Sequence, residues 1–280
     1  MNTYILLFQC KDQKGIVARI SEFIFKHGGN IIAADQHSTD FKAGYFFIRL
    51  EFVTDAKQTE MDGLAKGLNL LSRAFKARFS LYDKRKALRM GVLVSMPGHC
   101  LAEILYLSKE RELGVEIPFV ISNFAGHEDL VRQYSIPFYF VRATKSSPKE
   151  GELLRIIGGK TDFLVLSRYM LMLSKKFLNA YGKDIINIHH GFLPSFKGSN
   201  PYRQAFDGGV KVIGATSHFV TEELDAGPII AQEVASVSHK DGLADLARKG
   251  KNLEKKALVD ALRAYIDHRV IKHNNKTIVF

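Results

Sequence analysis

The sequence predicts an α/β protein in two parts, a small α+β unit at the N-terminus and a larger, mostly parallel sheet with helices on both faces. Three observations predict it. Residues 3–82 alternate apolar runs with amphipathic stretches in the order strand, helix, strand, strand, helix, strand. From residue 90 the pattern changes: short continuous apolar runs at 90–95, 118–121, 136–141, 163–166 and 185–188 alternate with helical stretches. Fully apolar strands of this kind are buried on both faces. Between the two patterns, Asp83-Lys-Arg-Lys86 is the densest charge cluster and reads as a linker, giving domains at 1–83 and 84–280.

Within the first domain, residues 4–10 are a short strand, and Asp12-Gln-Lys-Gly15 is turn chemistry. Ile16, Ile20, Phe23 and Ile24 recur at helical spacing until Gly28-Gly29 stops the helix. Residues 31–34 open a strand, Phe41-Lys-Ala-Gly44 makes a turn, and residues 45–53 form the hairpin partner. A second amphipathic stretch carries Leu64, Leu68 and Leu71, and residues 77–82 close the unit. Two helices over one face of a four-stranded antiparallel sheet is the smallest layered arrangement that buries both apolar faces. In the second domain, helices are expected at 99–113, 127–134, 150–157 and 173–181. Residues 210–220 and 229–237 read as an added strand pair, and 243–270 as a long terminal helix. Ligands on open α/β sheets bind beyond the carboxyl ends of the strands. Ser122-Asn123, the strand exit at 166–168 and residues 187–190 all fall at that edge.

Composition narrows the function classes. A hydrophobic content of 46% with 25% charged residues is that of an ordinary folded chain. No apolar run approaches the ~20 residues of a membrane span. The N-terminus runs straight into a strand pattern without a basic leader, so no signal peptide is expected and the cytoplasm is the expected location. Cys10 and Cys100 are too few for a disulfide framework and lack metal-ligand spacing, so no metal is expected. The formal charge of +11 raises nucleic acid as a partner, but the lysines and arginines are dispersed and no zinc-finger or aromatic nucleic-acid motif accompanies them. Solvated helix faces and attraction for an anionic small molecule account for the charge better.

The chemistry concentrates in Ile185-Ile-Asn-Ile-His-His-Gly-Phe-Leu-Pro194 and Leu224-Asp-Ala-Gly-Pro228. An apolar strand delivers Asn187 and His189 to its carboxyl end on one face, because strand side chains alternate with period two. Asp225 returns on a loop bounded by Gly and Pro. An amide, an imidazole and a carboxylate are what is needed to polarise a carbonyl, stabilise its oxyanion and move a proton. Taken singly, Asn187 can close a turn, His189 can be a satisfied core histidine and Asp225 can make an Asx-turn. The combined spacing favours chemistry.

Residues 187–230 resemble the catalytic core of the 10-formyltetrahydrofolate-using enzymes. That family's Asn-x-His and later Asp fall on Asn187, His189 and Asp225, its Leu-Pro-Ser-Phe on residues 193–196, and its Asp-Ala-Gly-Pro-Ile-Ile on residues 225–230. The doubled His189-His190, the Gly198-Ser-Asn-Pro-Tyr202 segment and Asn275-Lys-Thr-Ile-Val279 resemble the formyltetrahydrofolate deformylase branch. The resemblance covers essentially the whole chain. It implies a Rossmann-like formyltransferase domain that hydrolyses 10-formyltetrahydrofolate to formate and tetrahydrofolate, supplying formate to one-carbon metabolism and purine biosynthesis. The folate is then the substrate, a polyglutamylated folate fits the basic charge, and no cofactor is implied. Asn187 and protonated His189 would donate to the oxyanion, with Asp225 holding the charged imidazole and taking a proton. Either Asp225 or His189 can be the kinetic base.

The same resemblance places the folate against Met170, Leu171, Met172 and Leu173, with Thr221, Glu222, Glu223 and Leu224 closing over the pterin. Backbone amides of the first segment would read the pterin edge. Thr216 and His218 lie on the strand entering that loop and would support the catalytic residues from behind, while His190 is expected to be structural. A ribonucleotide acceptor would need a glycine-rich cradle after the first strand. This chain has Ser95-Met-Pro-Gly-His-Cys-Leu101 there, with one glycine and a proline that removes a donor, so water is the expected acceptor. The alternatives are formyl transfer to a nucleotide or sugar-nucleotide amine, and a non-catalytic folate or amino-acid sensor.

The N-terminal unit resembles the ACT family of ferredoxin-like modules, which often bind amino acids. Asp12-Gln-Lys-Gly-Ile16 matches its first strand-to-helix loop, and Gly28-Gly-Asn-Ile31 its helix-to-strand turn. Asp12, Gly15, Ile16 and Asn30 are thus the candidate effector site, with glycine or methionine as effector. Gly15 and Asn30 can equally be there only for backbone conformations that other residues resist. ACT-like sheets commonly pair, so a homo-oligomer is expected.

Overall fold

The computed structural model describes residues 2–40, 43–55, 58–196, 198 and 200–280, with the side chains of 58–62 excepted. Two members of the expected Phe41–Gly44 turn and Ser199 of the Gly198–Tyr202 segment lie outside the described residues. The chain divides into two units: 1–87 with 267–273 and 278–280, and 88–266 with 274–277. Residues 267–273 and 278–280 therefore group with the N-terminal unit, not with the 84–280 segment in which the linker signal places them.

The first unit runs β1 (Asn2–Lys11), α1 (Ile16–Lys26), β2 (Asn30–Ser38), β3 (Tyr45–Thr54), α2 (Gln58–Phe75) and β4 (Arg78–Asp83). Its sheet is antiparallel in the order β2-β3-β1-β4. Strand β1 is apolar without a break from Tyr4 to Phe8, where it is buried on both faces. Leu6 and Phe8 meet Ile20 and Ile24 of α1 and Leu64 and Leu68 of α2 in one core. Ile5 and Leu7 point the other way and pack with Phe47, Ile271, Tyr82 and Phe280.

The second unit continues β5 (Leu88–Val94), α3 (His99–Lys109), β6 (Val115–Glu116), β7 (Val120–Ser122), α4 (Glu128–Arg132), β8 (Phe138–Phe140), α5 (Glu150–Ile157), β9 (Phe163–Ser167), α6 (Lys175–Tyr181) and β10 (Ile185–His189). After these come α7 (Pro201–Asp207), β11 (Val212–Phe219), β12 (Ile229–Ser236) and α8 (Leu243–Ile266). The main path of the sheet is β12-β11-β10-β9-β5-β7-β8, parallel from β10 to β8 and antiparallel at β11 and β12. Leu93, Ile121, Leu164 and Ile185 fill one face with Leu153 and Ile157 of α5 and Phe177 of α6. Helix α8 packs against β10, β11, β12 and α3. The chain leaves β5 toward β7 on one side and β9 toward β10 on the other. That reversal opens a crevice at the carboxyl ends of β5 and β9, where ligands of such sheets sit.

Two expectations need correction. The terminal helix stops at Ile266, and residues 267–280 instead carry a hairpin of β13 (Val270–His273) and β14 (Lys276–Val279). Asn274 is left-handed at φ 53°, so Asn274-Asn275 is the kind of two-residue turn that closes a hairpin. Helix α7, unexpected from the apolar pattern, carries Pro201 in its first turn, where the missing N–H costs nothing.

Candidate active site

Strand β10 places Asn187 and His189 on one face, and its antiparallel partner β11 sets His218 opposite Asn187 and Thr216 opposite His189. Asp225 arrives from the loop after β11 in the left-handed region, φ 51°, which Asp and Asn enter more readily than most side chains. Gly227 lets this loop close: a Cβ there would stand 1.8 Å from the Phe219 carbonyl oxygen. The carboxylate ends with Oδ2 3.3 Å from His189 Nδ1 and Oδ1 3.7 Å from His218 Nε2. The Gly198 N–H donates to Oδ2 at 3.3 Å. His189, His218 and Asp225 are buried, whereas Asn187 keeps partial access to solvent.

The hydrogen bonds fix which nitrogen does what. His218 Nδ1 donates to the Phe219 carbonyl at 2.9 Å, leaving Nε2 to accept from Asn187 Nδ2 at 3.2 Å. One amide hydrogen of Asn187 remains for a ligand. His189 Nε2 donates to the Phe196 carbonyl at 3.0 Å, so its Nδ1 lone pair faces Asp225. Burial lowers the His189 pKa below 6.5 against the opposing pull of Asp225 and of the Phe196 carbonyl. Burial also pushes Asp225 up, but its interactions with His218, His189 and the Gly198 N–H outweigh this and hold it below 3.8. His189 Nδ1 and Asp225 Oδ2 stand 3.3 Å apart, an imidazole and a carboxylate placed to share a proton. Both ring nitrogens already have protein partners, so the oxyanion donor expected of His189 is not free in this state.

Thr216 braces the loop behind His189. Its hydroxyl donates to the Gly191 carbonyl at 2.9 Å and accepts from the Leu193 N–H at 3.0 Å. His218 touches both Asn187 and Asp225, a closer role than its strand position alone implies. His190 is buried edge-on to Tyr202, and burial takes its pKa to about 3.

An ion pair ties one expected folate segment to the helix that follows the other. Glu222 reaches Lys175 at 3.0 Å, joining the 221–224 loop to the start of α6, just past the 170–173 segment. Met170 and Met172 are exposed, but Leu173 belongs to the core with Leu166 and Phe177, and Leu171 packs against that core. The Met170 N–H donates to Ser95 Oγ at 3.0 Å, so this amide is not free to read a ligand. Thr221 Oγ1 donates to the Glu223 carbonyl at 3.1 Å, and Leu224 is exposed. Sequence reasoning missed Ser95 as the tie between the ends of β5 and β9, and it missed the Phe196 carbonyl and Gly198 N–H. The last two are main-chain groups, and only the density of Gly and Pro around them signals a special backbone.

In the other unit, Asp12 Oδ2 accepts from the Ser38 hydroxyl, Gly15 is left-handed at φ 88°, Ile16 is buried in the core, and Asn30 opens β2. Among the described residues, His99, Cys100 and Glu254 bring ligand-type atoms within 4.8 Å. They do not suit a metal ion. Burial pushes the Cys100 thiol well above its usual range, and Glu254 already meets Arg168 Nε at 3.3 Å. Among the described residues, no helix is long and apolar enough to cross a membrane.

Comparison with known proteins identifies the family. The formyl transferase family matches residues 88–262 and the ACT domain family residues 4–60. A formyltetrahydrofolate deformylase of Synechocystis sp. is 40% identical, covering 99% of this chain and 98% of that protein. The mitochondrial formyltetrahydrofolate deformylase 1 of Arabidopsis thaliana is 43% identical, covering 98% of this chain and 87% of its own length. The crystal structure of the Pseudomonas syringae formyltetrahydrofolate deformylase superposes with a TM-score of 0.95 at 40% identity, over 100% of this chain and 95% of that one. The glycinamide ribonucleotide transformylase 1 of Symbiobacterium toebii matches 69% of this chain and 94% of its own at 29% identity, TM-score 0.65. The likeness to the transformylase covers 69% of this chain, whereas the likeness to the deformylases covers 98–100% of it, and so the chain belongs to the formyltetrahydrofolate deformylase family.

Proposed function

We propose that this chain binds 10-formyltetrahydrofolate at the carboxyl edge of the β5–β10 sheet and hydrolyses it to formate and tetrahydrofolate. The observation that carries the reading is the buried His189–Asp225 pair, an imidazole and a carboxylate 3.3 Å apart, beside an Asn187 amide with one hydrogen to spare. Water attacks the formyl carbon, and the oxygen of the resulting tetrahedral adduct accepts a hydrogen bond from the Asn187 amide. The proton lost by the water passes to the His189–Asp225 pair, and the same pair returns it to the folate nitrogen as the carbon–nitrogen bond breaks. One water is consumed, one tetrahydrofolate leaves, and the formic acid set free ionises to one formate and one proton. An oxyanion donor of this kind typically contributes ~2.7–4 kcal/mol.

Met170 and Met172 supply exposed apolar surface for the folate, and the Thr221–Leu224 loop, tied to α6 through Glu222 and Lys175, closes over the pterin. No cofactor enters the reaction. We assign the Asp12–Ile16 loop with Asn30 to an amino-acid effector, glycine or methionine, and the N-terminal sheet to pairing of subunits in a cytoplasmic oligomer. The test is formate release from 10-formyltetrahydrofolate with no acceptor present, then at rising glycinamide ribonucleotide. Formate at an undiminished rate, with no formylated nucleotide, supports the hydrolase. Formylated nucleotide at a rate comparable to formate makes the chain a transferase.

A further inference from the structure

Glu254 of α8 is a buried carboxylate that takes no part in the chemistry above, yet it holds three segments that border the site. His99 Nε2, at the start of α3 and just past the loop from β5, donates to Oε2 at 2.9 Å. Arg168, left-handed at φ 61° where the chain leaves β9 toward Met170, brings Nε to 3.3 Å from the same oxygen. The Tyr202 hydroxyl, on α7, donates to Oε1. These contacts hold the carboxyl below its usual pKa in spite of burial. A buried anion met by three partners is costly to disturb, because losing one leaves a desolvated charge short of hydrogen bonds.

The Tyr202 contact bears on catalysis through the chain that precedes it. Between His189 and Tyr202 lies the segment whose Phe196 carbonyl accepts from His189 Nε2. At its near end the segment is fixed at Leu193, whose N–H donates to Thr216 and whose carbonyl accepts from Gln232 Nε2 at 2.8 Å. Tyr202 is held on Glu254, and Phe196 and Tyr202 pack against the same cluster of Ala205, Ile213 and Leu246. Phe196 and Asn200 are both left-handed, φ 56° and 58°, conformations that persist only where the surroundings over-determine them. The Tyr202 ring also lies directly on α8 at Gly250, one turn before Glu254: a Cβ there would stand 2.1 Å from the phenol oxygen.

We propose that Glu254 and Tyr202 are positioning residues for the hydrolysis, acting by holding the Phe196 carbonyl against His189 and so fixing the imidazole toward Asp225. The proposal rests on the hydrolase reading. The two fail distinguishably, because unaltered protein that releases no formate sinks that reading, whereas the positioning role is judged among variants.

The experiment uses the full chain and reads kcat and KM for 10-formyltetrahydrofolate, per folded molecule by near-ultraviolet circular dichroism. Tyr202→Phe keeps the ring and removes the donor. Gly250→Ala leaves both groups chemically intact, introduces the better helix residue, and displaces the ring. Each is expected to lower kcat about tenfold, the worth of one buried charge-assisted hydrogen bond, with KM within about twofold. Glu254→Gln keeps an oxygen for Tyr202 but leaves the Arg168 charge unbalanced beside the 170–173 segment. It is expected to lower kcat less than Tyr202→Phe and to raise KM more. Unchanged kcat per folded molecule in Tyr202→Phe and Gly250→Ala, with total activity falling only as the folded fraction falls, overturns the proposal.

Discussion

Replacing Asp225 by Asn isolates the charge of the buried carboxylate from its shape. Asn accepts the left-handed φ of 51° as readily as Asp, and its carbonyl oxygen can still accept from the Gly198 N–H, so the loop is expected to keep its conformation. The charge is lost from a point 3.3 Å from His189 Nδ1. At an effective dielectric of ~20 a unit charge at that distance stabilises an imidazolium by about 5 kcal/mol. The neutral amide restores about 1–1.5 kcal/mol as a hydrogen-bonding partner. The remaining ~3.5 kcal/mol corresponds to a loss of about 10²–10³-fold in kcat. Folate binding is expected to survive, because the Met170–Leu173 and Thr221–Leu224 segments are untouched. The assay is formate release at saturating 10-formyltetrahydrofolate, with folate binding followed separately by ligand fluorescence, which the absence of tryptophan leaves uncluttered. A kcat within about fivefold of the unaltered protein, under 1 kcal/mol, would remove Asp225 from the proton path.

Asn187→Ala removes a donor that keeps a spare hydrogen for the oxyanion. It is expected to lower kcat by about 10²–10³-fold with little change in KM, and an effect on KM alone would make Asn187 a binding residue. Burial holds His190 near pKa 3 and His268, stacked on Tyr82 beside Arg49, near 4. Both are depressed from 6.5, so the stability they confer is complete above about pH 6.5 and is lost as the unfolded chain takes up protons that the native state refuses. Urea unfolding should therefore weaken by up to about 2.7 kcal/mol per pH unit between pH 6.5 and 4, about 1.36 from each histidine. A flat profile contradicts the burial of these rings. Removing residues 1–83 while keeping 267–280 strips the partners from Ile271 and Phe280. That truncation should aggregate, whereas one ending at Ile266 should remain monodisperse in sedimentation.

The parallel sheet was legible because its strands are continuous apolar runs and its helices carry the longer period. The N-terminal unit was legible for the same reason, and the antiparallel pair β11–β12 read correctly. The hairpin after Ile266 was not, because Val270-Ile-Lys-His is too short to break a helical period and the turn at Asn274-Asn275 becomes meaningful only when Ile271 has a partner in β1. At the site, the side chains Asn187, His189 and Asp225 could be named from their spacing, and the structure brings them together. What holds them could not be named. The Phe196 carbonyl, the Gly198 N–H and the Ser95–Met170 tie are set by backbone direction. Glu254 reads in sequence as one more charge on an amphipathic helix, and its burial among His99, Arg168 and Tyr202 depends on contacts across 155 residues.

The measurement that tests the central claim most directly is the fate of the water oxygen. In a single turnover of 10-formyltetrahydrofolate in water enriched in oxygen-18, attack of water on the formyl carbon beside Asn187 and the His189–Asp225 pair places one labelled oxygen in each formate released. Mass spectrometry of that formate should show one heavy oxygen and one light. Formate without label, or a formyl group recovered on an added amine with the label left in the solvent, would contradict hydrolysis at this site.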